Sequence, residues 1–173
     1  MAVTAHFFPE FQQAMGEKTA GVSGGSQVTL STANSGTIDT LKVGLIASGT
    51  TFTWGATPEA YTTVTQFLSG DGTHGSLTEV TYTGATPASR VTLTSVGLTT
   101  SGEVNTLTCA SPSWTGATWT ATYAFFYDYT AANNSDTNGL MICYWDLGGS
   151  QSVSGSTFTL TINASGLVTW TSS

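Results

Sequence analysis

The chain has 173 residues with a net charge of −7, and only 8% of its residues are charged. It contains 35 Thr, 20 Ser and three basic residues, Lys18, Lys42 and Arg90. So few cations cannot neutralise many phosphates, which argues against a nucleic-acid partner. The same shortage leaves no basic face for an anionic membrane. No apolar run approaches the roughly 20 residues of a membrane span, and the start MAVTAHFFPEF lacks a secretory signal pattern. With 39% hydrophobic and 11% aromatic residues, the chain is too apolar for disorder and its Thr content favours strands.

In chain order, residues 6–16 read as a short helix, with Phe8, Phe11 and Met15 on one side. Glycines at 16, 21, 24 and 25 then predict a loop or mobile arm. From 37 onward the period changes to two. TIDTLKVGLIA (37–47) places Leu41, Val43 and Leu45 on one face, and TTFTW (50–54) continues extended. Residues 61–70 fit a short helix or a strand equally, and GDGTHG (70–75) is a turn cluster. SLTEVTYTG (76–84), SRVTLTSVGL (89–98) and EVNTLTC (103–109) alternate as strands. A long strand spans 118–129, with Trp119, Ala121, Tyr123, Phe125 and Tyr127 on one face. A polar loop (131–139) precedes an apolar strand, LMICYWDLG (140–148). STFTLTINA (156–164) and GLVTWTS (166–172) complete a hairpin.

The expected fold is all-β: an antiparallel β-sandwich, Ig-like or jelly-roll-like, of about eight to nine strands with a short N-terminal helix. The expected division is 1–36 as N-terminal helix and arm, and 37–173 as the sandwich domain.

Groups with catalytic potential are sparse. His74 lies near Asp71, but in a serine-rich chain that proximity carries no nucleophile assignment. Cys109 and Cys143 lie in apolar strand-like runs and read as buried thiols; no zinc-type spacing exists. NNSDTNG (133–139) offers oxygens but one carboxylate, which suits a turn better than a calcium loop. Asp128 and Asp146 end aromatic strands and form the one carboxylate pair worth testing for glycosidase geometry. Of the five tryptophans, Trp114 in SPSWTG is the best candidate for an exposed, sugar-stacking ring. No catalytic residue, cofactor or metal is expected.

The succession LKVGLI (41–46), SRVTLTSVGL (89–98), WTGATWTATYAFFYD (114–128), LMICYWDLGGSQ (140–151) and STFTLTINASGLVTW (156–170) resembles a family of small tailed-phage virion proteins of the capsid decoration, or cement, type. The segment GDGTHGSL departs from that family's usual glycine-rich turn. The resemblance implies a non-enzymatic structural protein, made in the host cytoplasm and located on the virion's capsid exterior. Its implied partner is the major capsid protein, and its implied state a homotrimer, with neither nucleic acid nor membrane bound. In that role the N-terminal arm grips a neighbour through Phe7, Phe8, Phe11 and Met15; packing of this segment on its own domain is the alternative. Competing readings are a tail- or fibre-associated host-recognition module and a carbohydrate-binding β-sandwich.

Overall fold

The structure is a computed structural model describing residues 4–8, 39–49, 63–70, 76–83, 89–129, 135–163 and 165–171. Among these residues 58% lie in strands and 6% in helix, so the chain is mostly β. The strands are β1 (Thr4–Phe7), β2 (Leu41–Ala47), β3 (Val91–Thr92), β4 (Gly97–Ser101), β5 (Val104–Thr108), β6 (Ser113–Asp128), β7 (Leu140–Thr159) and β8 (Val168–Thr171). One helix, α1 (Val64–Ser69), lies between β2 and β3. A larger antiparallel sheet runs β1-β7-β6-β2-β3 and a smaller one β4-β5-β8, and neither closes into a barrel. No helix among the described residues is long and apolar enough to cross a membrane.

The larger sheet is buried on both faces. Leu41, Val43 and Leu45 of β2 share one core with Ala124 and Phe126 of β6 and with Leu107 and Val168 of the smaller sheet. On the opposite face, Ile46, Phe125, Tyr127, Met141 and Tyr144 pack with Phe8 and with Val64 and Phe67 of α1. Sequence alternation alone cannot show this, because a strand buried on both faces reads as a continuous apolar run.

The long β6–β7 ribbon changes register at its middle. Tyr123 faces Asp146, whereas Ala121 faces Gln151, so β6 advances two residues while β7 advances five. The extra residues form a bulge at Leu147–Ser150 whose glycines have positive φ, 72° at Gly148 and 114° at Gly149. Asp146 Oδ1 accepts from the Gly148 N–H at 2.8 Å. Gln151 Nε2 donates to the carbonyls of Leu147 and Gly149 at 3.3 and 3.1 Å. The DLGGSQ motif is therefore the device that bends the ribbon. It also corrects the expected single face of the long strand: Ala121 lies in the core shared with the smaller sheet, while Phe125 and Tyr127 lie in the other.

Four further expectations are corrected. Residues 4–7, overlapping the start of the helix expected over 6–16, pair as a strand with Cys143–Asp146 and satisfy that edge of β7. The strand expected over 89–98 breaks at Ser95, whose φ is 52°, into β3 and β4. The expected strand 76–84 contributes an isolated bridge, Glu79 to Ile46, instead of a full ladder. The terminal hairpin does not form. Residues 156–159 belong to β7 and pair with β6, whereas β8 pairs with β5 in the other sheet. The turn at Asn163–Gly166 is present, with Gly166 N–H donating to Asn163 O at 3.0 Å, but it carries the chain from one sheet to the other. The ambiguous segment 61–70 resolves as α1, nucleated by a capping box in which Thr63 and Gln66 satisfy each other's backbone N–H. The strand expected over 50–54, and most of the turns at 16–25 and 70–75, lie outside the described residues.

Candidate functional site

The described charges are segregated. Asp39, Lys42, Glu79, Arg90, Asp128, Asp136 and Asp146 belong to β2, to its neighbours, and to the β6–β7 end that pairs with it. Residues 104–127 and 147–173 contain no charged side chain. Glu103, in the turn between β4 and β5, is the one exception near that pole.

At the charged pole, two of the chain's three cations enter one partly buried network. Arg90 forks onto Glu79, Nε to Oε1 at 3.0 Å and Nη2 to Oε2 at 2.9 Å, with both side chains nearly buried. Its remaining nitrogen Nη1 donates to the carbonyl of Asp136, and its Cζ lies 5.6 Å from the ring centroids of Phe125 and Tyr127. Burial works against the Arg90 charge, but the hydrogen bonds and negative charge of Glu79 outweigh it and raise the pKa. Asp136 Oδ1 accepts from the Tyr127 hydroxyl and from Lys42 Nζ, the latter at 2.8 Å. Lys42 in turn sits 3.8 Å above the Tyr129 ring. Burial first, and then the Asp136 hydrogen bond, push the Tyr127 phenol well above its ordinary pKa. Beside them Ser89 Oγ accepts from the Leu45 N–H at 2.8 Å, and the Ser89 carbonyl accepts from Trp114 Nε1 at 2.7 Å.

This network pins the β6–β7 connection against the sheet, and the pinned loop in turn holds α1. Gly139 O accepts from Val64 N at 3.0 Å, and Thr137 O accepts from Thr65 N at 2.9 Å. Two of the helix's first N–H groups, which have no partner within a helix, are thereby satisfied. Sequence reasoning noted Lys42 and Arg90 for their rarity and Asp136 as the carboxylate of the NNSDTNG loop, but it did not single out Glu79 or Ser89 or join any of the five into a network. The available signal was the rarity of cations: in a chain with three, a Lys or Arg inside an apolar alternating strand calls for a buried partner.

At the uncharged pole, Leu98, Leu107 and Val168 of the smaller sheet turn into the core. Period-two alternation sends the intervening Thr99, Val104, Thr106 and Thr169 outward. Thr99, Thr106 and Thr169 are in register across the three strands. Val104, 44% exposed, is the exposed large hydrophobic among the described residues. The distal half of the ribbon likewise presents Ser113, Thr115, Thr118, Ser152, Ser154 and Thr157 outward. Its inner side carries Trp114, Trp119 and Phe158 in mutual ring contact.

The residues expected to act fall as follows. Phe8 is fully buried in its own domain against Phe67 and Tyr144, with ring centroids at 5.7 and 6.1 Å. Phe7 is placed by its backbone opposite Cys143, and Phe11 and Met15 lie outside the described residues. Asp128 and Asp146 do not meet. Asp128 faces Leu140 and Asp146 faces Tyr123, about 17 Å apart along the ribbon at the usual strand rise. Asp146 is committed to the bulge. Asp136 is committed to Lys42 and Tyr127, so the acidic member of the NNSDTNG loop is not a spare cation ligand. Trp114 is fully buried, the reverse of its expected exposure. His74 and Trp54 lie outside the described residues. Both cysteines are free; burial lifts the Cys109 thiol to about 11, and raises that of Cys143, which also feels Cys109. Among the described residues no group of three or more His, Cys, Asp or Glu side chains converges to hold a metal. No family model, curated protein or solved structure matches the chain.

Proposed function

We propose that this protein is a structural component of a tailed-phage particle, most specifically a decoration protein that binds the outside of the assembled head and stabilises it. The observation that carries this reading is the segregation of the described charges: Asp39, Lys42, Glu79, Arg90, Asp128, Asp136 and Asp146 gather around β2 and the adjoining end of the β6–β7 ribbon, whereas the smaller sheet and the distal ribbon, Glu103 apart, are uncharged and rich in hydroxyls. A surface that packs on another protein loses solvation, and a lone charge there is costly. Threonine and serine hydroxyls both donate and accept, so a partner's backbone can replace their water. The acidic pole then faces solvent, away from packaged DNA.

On this reading the two sheets, which share one core, form a β-sandwich, and the molecule assembles as a homotrimer contacting the major capsid protein. Gripping by the N-terminal arm falls to Phe7, Phe11 and Met15, because Phe8 is used in the core. The carbohydrate-binding alternative has lost its best ring, Trp114, to that same core.

The test is cosedimentation of the purified chain with intact heads and with unassembled capsid subunits. Binding to heads and not to free subunits is expected, since a cement protein stabilises the state it binds. No binding to heads, combined with binding to polysaccharide or to host cells, would overturn the proposal.

A further inference from the structure

We propose that Asn138 is a site of spontaneous covalent modification: the Gly139 backbone nitrogen closes onto the Asn138 side chain, and the β6–β7 loop ages irreversibly to aspartate and isoaspartate at position 138. In this reaction Gly139 N loses its proton to solvent base and bonds to Asn138 Cγ, and ammonia leaves. Water then opens the resulting five-membered imide at either carbonyl. No oxidant, metal or enzyme is required.

Three features single out this position. First, attack needs a following residue without a side chain in the way, and here the fold itself demands glycine. A Cβ at 139 would overlap the Tyr127 ring at Cδ2 and lie 2.8 Å from Cε2 and 3.2 Å from Asp128 O. Second, no described residue ties up the nucleophile. Regular β7 pairing starts at Leu140, and among the described residues no acceptor takes the Gly139 N–H, while Gly139 O receives Val64 N. Third, Asn138 is exposed, and among the described residues only its backbone N–H is bonded, to Ser135 Oγ at 3.1 Å. The other described asparagines lack the following glycine and have their side chains engaged. Asn105 lies within β5 and its Oδ1 accepts from Thr100 Oγ1 at 2.8 Å. Asn163 Oδ1 accepts from Ser165 N at 2.9 Å, and the residue after it is Ala164.

The location gives the reaction a consequence. Isoaspartate inserts a methylene into the main chain between Thr137 O and Gly139 O, the two carbonyls that hold the start of α1. It also adds a negative charge beside Asp136, in a chain already at −7. Ageing at this loop therefore loosens α1 and the pinned connection together.

The experiment is incubation of the purified full chain at mildly alkaline pH. It is followed by ion exchange, peptide mass mapping with isoaspartate-specific methyl labelling, and a melting scan of the separated fractions. The expected result is that position 138 is the first asparagine converted in the folded protein, that Asn138→Gln removes the more acidic species, and that the aged fraction melts lower than the fresh one. If position 138 stays an amide in the folded protein while it converts in urea, the geometric argument is overturned. Equal melting of aged and fresh fractions overturns the link to α1.

Discussion

Replacing Arg90 by alanine isolates the buried network. Its guanidinium is 6% exposed and its partner Glu79 11% exposed, so removal strands a desolvated carboxylate and frees the Asp136 carbonyl that Nη1 had satisfied. Breaking one side of such a buried pair costs about 3–5 kcal/mol, because the surviving charge keeps its desolvation penalty and loses its compensation. The contrast is Lys42→Met. The Lys42–Asp136 pair is the more exposed of the two, with side chains 13% and 23% exposed, and a pair nearer the surface contributes roughly 0–1 kcal/mol. Replacing both Arg90 and Glu79 by methionine removes the stranded charge, so the double variant should lose less than the sum of the two single losses. Urea unfolding followed by circular dichroism reads the parent and all five variants, the two single methionine changes included, on one scale. An Arg90→Ala loss below about 1 kcal/mol, or strict additivity of the two methionine changes, would refute the reasoning that this pair is desolvated and coupled.

Other outcomes follow from the same contacts. Phe8→Ala should cost about 3–5 kcal/mol, since a fully buried ring shared by α1 and β7 leaves a cavity; a change within about 0.5 kcal/mol would mean that the segment is not part of the core. Gly139→Ala should lower the melting temperature by driving Tyr127 off its position, and Tyr127→Ala should partly relieve it in the double variant. Burial raises the folded-state pKa of Cys109 from 9.0 to about 11, and also raises Cys143, Tyr127 and Tyr144. The native state therefore holds protons that the unfolded chain releases, and stability present below pH 9.0 should fall as pH rises above it. A melting series should be flat to that point and then decline, and Cys109→Ala together with Cys143→Ala should delay the decline; a flat alkaline limb would contradict the assigned burial.

The strands were legible wherever one face met the core and the other met water. β5 appears where the pattern put it, and so does β2, whose Leu41, Val43 and Leu45 alternate although its other face is buried as well. The failures share a physical cause: non-local partners decide them. Phe8, Phe11 and Met15 carry a helical spacing, but the open edge of β7 takes residues 4–7 as a strand. The turn at Asn163–Gly166 is visible as a turn, but which sheet the chain enters next depends on Leu107, sixty residues upstream, whose carbonyl accepts from Leu167 N at 2.7 Å. Alternation along β6 could be read to Ala121 and not beyond, because the residues that reset it, Leu147–Ser150, sit on the neighbouring strand. The buried network was illegible for the same reason: Lys42 and Asp136 are 94 positions apart. Charge segregation, by contrast, was already present in the linear sequence, since residues 147–173 hold no charged side chain.

The most direct test of the proposed role places a charge on each pole in turn and measures cosedimentation with intact heads. Thr99→Glu and Thr169→Glu put carboxylates on the outward face of the smaller sheet, and Thr78→Glu puts one on the already charged pole; all three sites are exposed. The account predicts that the first two, while folding normally, lose head binding and that the third retains it. Undiminished binding by the Thr99 and Thr169 variants would contradict it.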